Sequence, residues 1–180
     1  ETGSHPEHGI EWWYWVGHLN AVDSKKKFGF QSTIFRLAGG PEKSGVTQSE
    51  PFGNQNLFLV HTALSDLEEE KYIHHERVLR EGWQASASRE TLQLAVGGVK
   101  VSLLEEEDGH KVVTRYPDGA KLELTFKPTK PLVSFGDRGL SRKGSDPASV
   151  SWYWSYTRLE AKGILHQNGK EIPVVGMAWM

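Results

Sequence analysis

The feature that most limits what this chain can become is a two-residue alternation of apolar and polar side chains, broken repeatedly by Gly, Asn, Asp and Pro. In Lys121-Leu122-Glu123-Leu124-Thr125-Phe126 the alternation is strict. An extended backbone sends successive side chains to opposite faces, so such a segment buries one face and wets the other. The same period marks residues 10–20, 28–37, 57–66, 86–97, 99–106, 110–116, 120–127, 150–167 and 171–180 as strands. Residues 68–80 admit a helical turn at their start or a strand over 72–79. Residues 38–56 and 128–148 are rich in Gly, Pro and Ser and read as long loops, with a short strand at 132–135 in the second. Gly97-Gly98 and Asn168-Gly169 are tight-turn pairs. No amphipathic pattern is long enough for a helix. The expectation is an all-β, antiparallel barrel of about nine or ten strands with little helix, residues 1–180 forming one domain.

Composition narrows the function classes. A net charge of −2 with no polybasic run gives no footprint for nucleic acid or an anionic membrane. The absence of cysteine excludes disulfides and thiolate chemistry. No apolar stretch reaches the roughly 20 residues of a membrane-spanning helix. Seven tryptophans are the anomaly, and five of them fall in two clusters, Trp12, Trp13, Trp15 and Trp152, Trp154. Clustered indoles suit a thick aromatic core or a cavity for an apolar small molecule. The chain opens on Glu1 and closes inside an apolar run, Ala178-Trp179-Met180. From this we expect a removed leader or upstream segment, and a partner segment beyond Met180.

Glu11 shares a strand face with Trp13 and Trp15. A carboxyl beside indoles loses hydration and is raised toward a general acid unless a cation or donors compensate. The other reading, which the sequence favours, is a buried ion pair with Arg36 or Arg158. Gln31 lies on the face opposite Arg36. If the face of Phe28, Phe30 and Ile34 packs outward or between domains, Gln31 points into the cavity and orients a ligand carbonyl or hydroxyl; otherwise it is a core amide. His61 interrupts an apolar strand, as a satisfied core histidine or as a ligand-binding or proton-transfer group. Tyr153 and Tyr156 lie on opposite faces and either orient a ligand or pack. Trp12, Trp13, Trp15, Trp154 and Trp179 are assigned to the wall of the cavity. His5-Pro6-Glu7-His8 and His74-His75-Glu76 lack the spacing of a metal motif, since adjacent strand residues point apart. Neither a metal nor a cofactor is expected, and no nucleophile elbow, P-loop or dinucleotide fingerprint occurs.

These motifs resemble one family. His5-Pro6-Glu7 followed by Glu11-Trp12-Trp13-Tyr14 and Gly17-His18-Leu19 is similar to the start of AttH-like and hydroxyneurosporene-synthase-like proteins. Phe28-Gly29-Phe30-Gln31, Phe35-Arg36, His61-Thr62-Ala63-Leu64-Ser65-Asp66, Glu76-Arg77, Ser155-Tyr156-Thr157-Arg158-Leu159 and Gly176-Met177-Ala178-Trp179-Met180 continue the resemblance in order. It implies two lipocalin-like barrels in tandem, of which this chain is the N-terminal one and a C-terminal second barrel the partner. It also implies a secreted or periplasmic location. The implied activities are carotenoid hydration or polyene cyclisation; for acid–base catalysis of that kind the candidates are Glu11 and His61, read from their surroundings above. The alternative is a non-catalytic lipid-binding protein, or an accessory of an export or attachment system.

Overall fold

The computed structural model describes residues 3–6, 8–38, 56–104, 109–145 and 150–180. Among them the chain forms fifteen strands and no helix. They are β1 (Ile10–Ala21), β2 (Lys27–Leu37), β3 (Leu57–Asp66), β4 (Lys71–Arg80), β5 (Ala85–Ala87), β6 (Gln93–Val96), β7 (Val99–Leu103), β8 (His110–Arg115), β9 (Lys121–Pro128), β10 (Val133–Ser134), β11 (Leu140–Arg142), β12 (Val150–Trp152), β13 (Trp154–Ser155), β14 (Leu159–Gln167) and β15 (Lys170–Trp179). Eleven make one sheet in the order β4-β3-β2-β1-β15-β14-β9-β8-β7-β6-β5, every pairing antiparallel.

The sheet curls into a nearly closed barrel around the face that alternation assigns to the core. Leu122, Leu124 and Phe126 are buried on β9, as are Phe28, Phe30 and Ile34 on β2. Opposite walls touch. Phe30 and Phe126 lie with ring centroids 6.0 Å apart, Ser32 Oγ and Thr114 Oγ1 share a hydrogen bond at 2.7 Å, and the Tyr116 hydroxyl donates to the Ala63 carbonyl at 3.2 Å. The polar groups among these are buried, so each such bond avoids the cost of an unmade one. The seam between β1 and β15 is drawn tight at Gly17 and Gly176. A Cβ on Gly176 would lie 2.0 Å from the His18 carbonyl oxygen, and one on Gly17 2.2 Å from that of Met177.

Three expectations change. The stretch 86–97 is a hairpin, β5 and β6, because Ser88 reverses the chain. Its N–H donates to the Gln93 carbonyl at 2.9 Å and its Oγ accepts from the Glu90 N–H at 3.2 Å. The stretch 150–167 is three strands. β12 pairs with β11 and β13 with β10, and only β14 joins the main sheet. The loop expected at 128–148 holds its expected short strand, β10, and adds β11, and the main sheet of eleven strands is close to the nine or ten expected. Residues 71–80 are strand, entered through a turn in which Asp66 Oδ1 accepts from the N–H groups of Glu68 and Glu69. Asn168-Gly169 makes the expected hairpin turn, with φ of 53° and 72°. Residues 39–55, the body of the first expected loop, lie outside the described residues.

Candidate functional site on the outer face of the first three strands

The face of β1, β2 and β3 turned away from the core carries three of the sequence candidates, Trp12, Gln31 and His61. Register sets Trp12 opposite Phe35, Tyr14 opposite Thr33 and Val16 opposite Gln31. On the next strand Phe35 faces Leu59, Thr33 faces His61 and Gln31 faces Ala63. Directly opposed residues share a face, so these side chains form one surface. An open hollow of ≈ 410 Å³ sits on it, lined by Trp12, Tyr14, Val16, Gln31, Thr33 and Phe35.

Tyr153, between β12 and β13, reaches this hollow from far along the chain. Its hydroxyl lies 2.9 Å from that of Tyr14, its ring is 6.1 Å from Trp12, and Phe135 stacks on it at 4.5 Å. Burial, then the hydrogen bond with Tyr14, pushes the Tyr153 hydroxyl up to about 12, so it stays a neutral donor at physiological pH. Gln31 Nε2 donates to Thr33 Oγ1 at 3.1 Å, which leaves the amide oxygen as an acceptor. His61 sits past Phe35, edge to face at 5.7 Å. Its Nε2 is 3.3 Å from Glu76 Oε2 and its ring 6.2 Å from that of His74. Trp179 on β15 is paired opposite Val16 and is 44% exposed.

The structure thus brings Trp12, Gln31, His61, Tyr153 and Trp179 to one face and leaves the other sequence candidates elsewhere. Trp13 and Trp15, 9% and 0% exposed, point into the packed interior. Tyr156 lies against His110 at 5.6 Å and packs on the core. Trp154 is 44% exposed and stacks on Trp152 at 5.7 Å. The expected dry void shared by Trp12, Trp13, Trp15 and Trp154 does not form. Strand alternation sends Trp12 outward from Trp13 and Trp15, and Trp154 belongs to a separate small sheet. Tyr14, Thr33 and Phe35 join the site without having been among the expected ligand contacts. The signal that finds them is parity: Tyr14 shares that of Trp12, and Thr33 and Phe35 share that of Gln31.

Glu11 lies on the inner side, at the start of β1. Burial pushes its carboxyl up, but hydrogen bonds from Ser4 Oγ (2.7 Å), Arg36 Nε (2.6 Å) and the His5 N–H (2.6 Å), with the charge of Arg36, outweigh burial and hold it below the ordinary carboxylate value. The general-acid expectation required the opposite shift, and the compensating cation is Arg36 rather than Arg158. A larger open trough, ≈ 650 Å³, crosses the outside of β5–β8. It is lined by Ser86, Lys100, Ser102, Lys111 and neighbouring small residues, with no aromatic, acid or histidine among them.

No curated protein matches the chain. In fold it is similar to the crystal structure of a protein of Nitrosomonas europaea assigned to AttH, with 30% identity and a TM-score of 0.81 over 98% of this chain and 51% of that one. It is also similar in fold to kievitone hydratase from Nectria haematococca, with 14% identity and a TM-score of 0.57 over 96% of this chain and 47% of that one. The chain thus spans about half the length of these solved relatives. With the AttH-like pattern matched over residues 1–180, the chain belongs to the AttH-like family.

Proposed function

We propose that this protein binds an apolar small molecule, of isoprenoid, polyene or lipid-like character, in the hollow on the outer face of β1 and β2. The observation that carries the reading is an aromatic floor (Trp12, Tyr14, Phe35) with Gln31 at its side and Tyr153 against its Trp12–Tyr14 edge. Such a floor offers large apolar area with few polar groups to fix orientation. A C-terminal second barrel packed on this face would close the hollow. What supports that cover is the row of half-exposed apolar side chains around it, Val16, Val78, Val175 and Trp179. The test is a titration with cis-parinaric acid, a fluorescent polyene. Saturable enhancement is expected, weakened roughly 10-fold or more by Trp12→Ala and unchanged by Trp83→Ala, which lies outside the hollow. An unsaturable response, identical in both variants, contradicts the reading and favours the accessory role through protein contacts.

A hydration reaction is the second reading. Its motive is His61, at the rim of the hollow and paired with Glu76. A proton would pass from His61 to one alkene carbon, water would add at the other, and the added water would return its proton to His61. Aromatic faces at the hollow would stabilise the intervening cation. Glu11 takes no part, because its carboxyl is ionised and committed to Arg36.

A further inference from the structure

We infer that Tyr14 and Tyr153 form a paired phenol donor that selects, among apolar ligands, those carrying a carbonyl oxygen; this rests on the binding reading above. Two hydroxyls 2.9 Å apart use one proton between them. One donates to the other, and the acceptor's own O–H is left to point elsewhere. A donor that is itself a hydrogen-bond acceptor is polarised by its neighbour and donates more strongly.

The surroundings fix where that O–H is useful. Phe135 stacked on Tyr153 and Trp12 beside it hold the Tyr153 ring at the edge of the hollow formed by Trp12 and Tyr14. Tyr14 lies in the floor, between Trp12 and Val16 on the same side of β1. The other polar side chains of the hollow, Gln31 and Thr33, are bonded to each other; each keeps a further proton, so what sets the phenol pair apart is its polarised O–H. Lys143 Nζ, 5.4 Å from the Tyr153 ring centroid, approaches the ring face rather than the hydroxyl and does not compete for its hydrogen bond. A ketone, enone or acyl oxygen presented to this corner would accept one bond while the rest of the molecule lay on Trp12 and Phe35. A pure hydrocarbon would leave the O–H facing an apolar surface, a loss when water is excluded.

The experiment compares acetylnaphthalene with isopropenylnaphthalene, which has a methylene in place of the carbonyl oxygen and nearly the same shape. Affinities are measured by calorimetry on the wild-type protein and on Tyr14→Phe and Tyr153→Phe, and the ketone C=O stretch is followed by infrared spectroscopy. The ketone is expected to bind roughly 3- to 10-fold more tightly than the alkene, with a stretch lowered from its value in hydrocarbon solvent. In either tyrosine variant the ratio of ketone to alkene affinity, taken within that protein, and the shift of the stretch should both shrink, because the remaining hydroxyl has lost the neighbour that polarises it. If both probes bind equally and the stretch is unshifted, the phenol pair is no selector, and the binding reading stands without it. If neither probe binds, the hollow is not a ligand site and both readings fall together.

Discussion

Arg36 donates its Nε–H to Glu11 Oε2 at 2.6 Å, and its Nη2 spans the carbonyl oxygens of His5 and His8 at 2.9 and 2.7 Å. One guanidinium, buried on β2, therefore ties the segment before β1 across the mouth of the barrel. Removing one partner of a buried pair strands the other charge, which costs about 3 kcal/mol or more. Glu11→Gln should lower stability to urea by that order at neutral pH. The carboxyl is held below its ordinary value of 4.5 in the folded protein, so the folded state binds fewer protons than the unfolded one. Its contribution is then present above that value and lost as pH falls through the folded one. The gap between wild type and Glu11→Gln should accordingly shrink below pH about 4.5. A gap that does not change with pH would show that the ion pair is not what Glu11 supplies.

The tryptophans should separate by face. Trp15 has no exposed surface, whereas Trp154 is 44% exposed. Trp15→Ala leaves a cavity in a filled interior and is expected to cost about 3–5 kcal/mol in urea denaturation. Trp154→Ala should cost about 1 kcal/mol or less and leave parinaric acid binding unchanged. Equal losses would mean that the interior and the small sheet contribute alike to the cooperative unit.

Gly176→Ala tests the seam. Its added methyl would meet the His18 carbonyl oxygen on β1, and the strands must part to admit it. The expected cost is about 1–3 kcal/mol, with faster amide exchange along β1 and β15. Wild-type exchange in both strands would show that the seam relaxes without opening.

His61→Ala should separate binding from chemistry. If the protein hydrates a double bond, the variant should bind the polyene as the wild type does and form the water adduct, followed by mass spectrometry, roughly 100-fold more slowly or worse. Unchanged turnover would remove His61 from the reaction.

Strand positions and parity are legible in the sequence because the two-residue period is a property of the backbone alone. Spacing by itself puts Gln31 and Arg36 on opposite faces of β2, and Glu11 with Trp13 and Trp15 on one face of β1. Which face is interior is not legible on β1. Trp12 and Tyr14 on one side rival Trp13 and Trp15 on the other, so hydrophobicity does not choose between them. The choice is made by the neighbours. Phe28, Phe30 and Ile34 on β2 draw their face inward, and register carries β1 with it. Tyr153 is an expected ligand contact, but its bond to Tyr14 joins residues 139 apart in the chain, a pairing no local pattern encodes. The long strand expected at 150–167 fails for a similar reason, since β12 takes its partner, β11, from a stretch whose Gly and Pro content reads as loop, and β13 pairs with the short strand β10 rather than with the main sheet.

On the proposed reading the ligand lies on the outside of the barrel wall and not within it. Fluorotryptophan labelling followed by fluorine NMR tests this directly, because the seven indoles report both faces at once. On addition of parinaric acid the account predicts that the Trp12 and Trp179 resonances move while those of Trp13 and Trp15 stay in place. Movement of Trp13 and Trp15 with Trp12 unmoved would put the ligand in the barrel interior and contradict it.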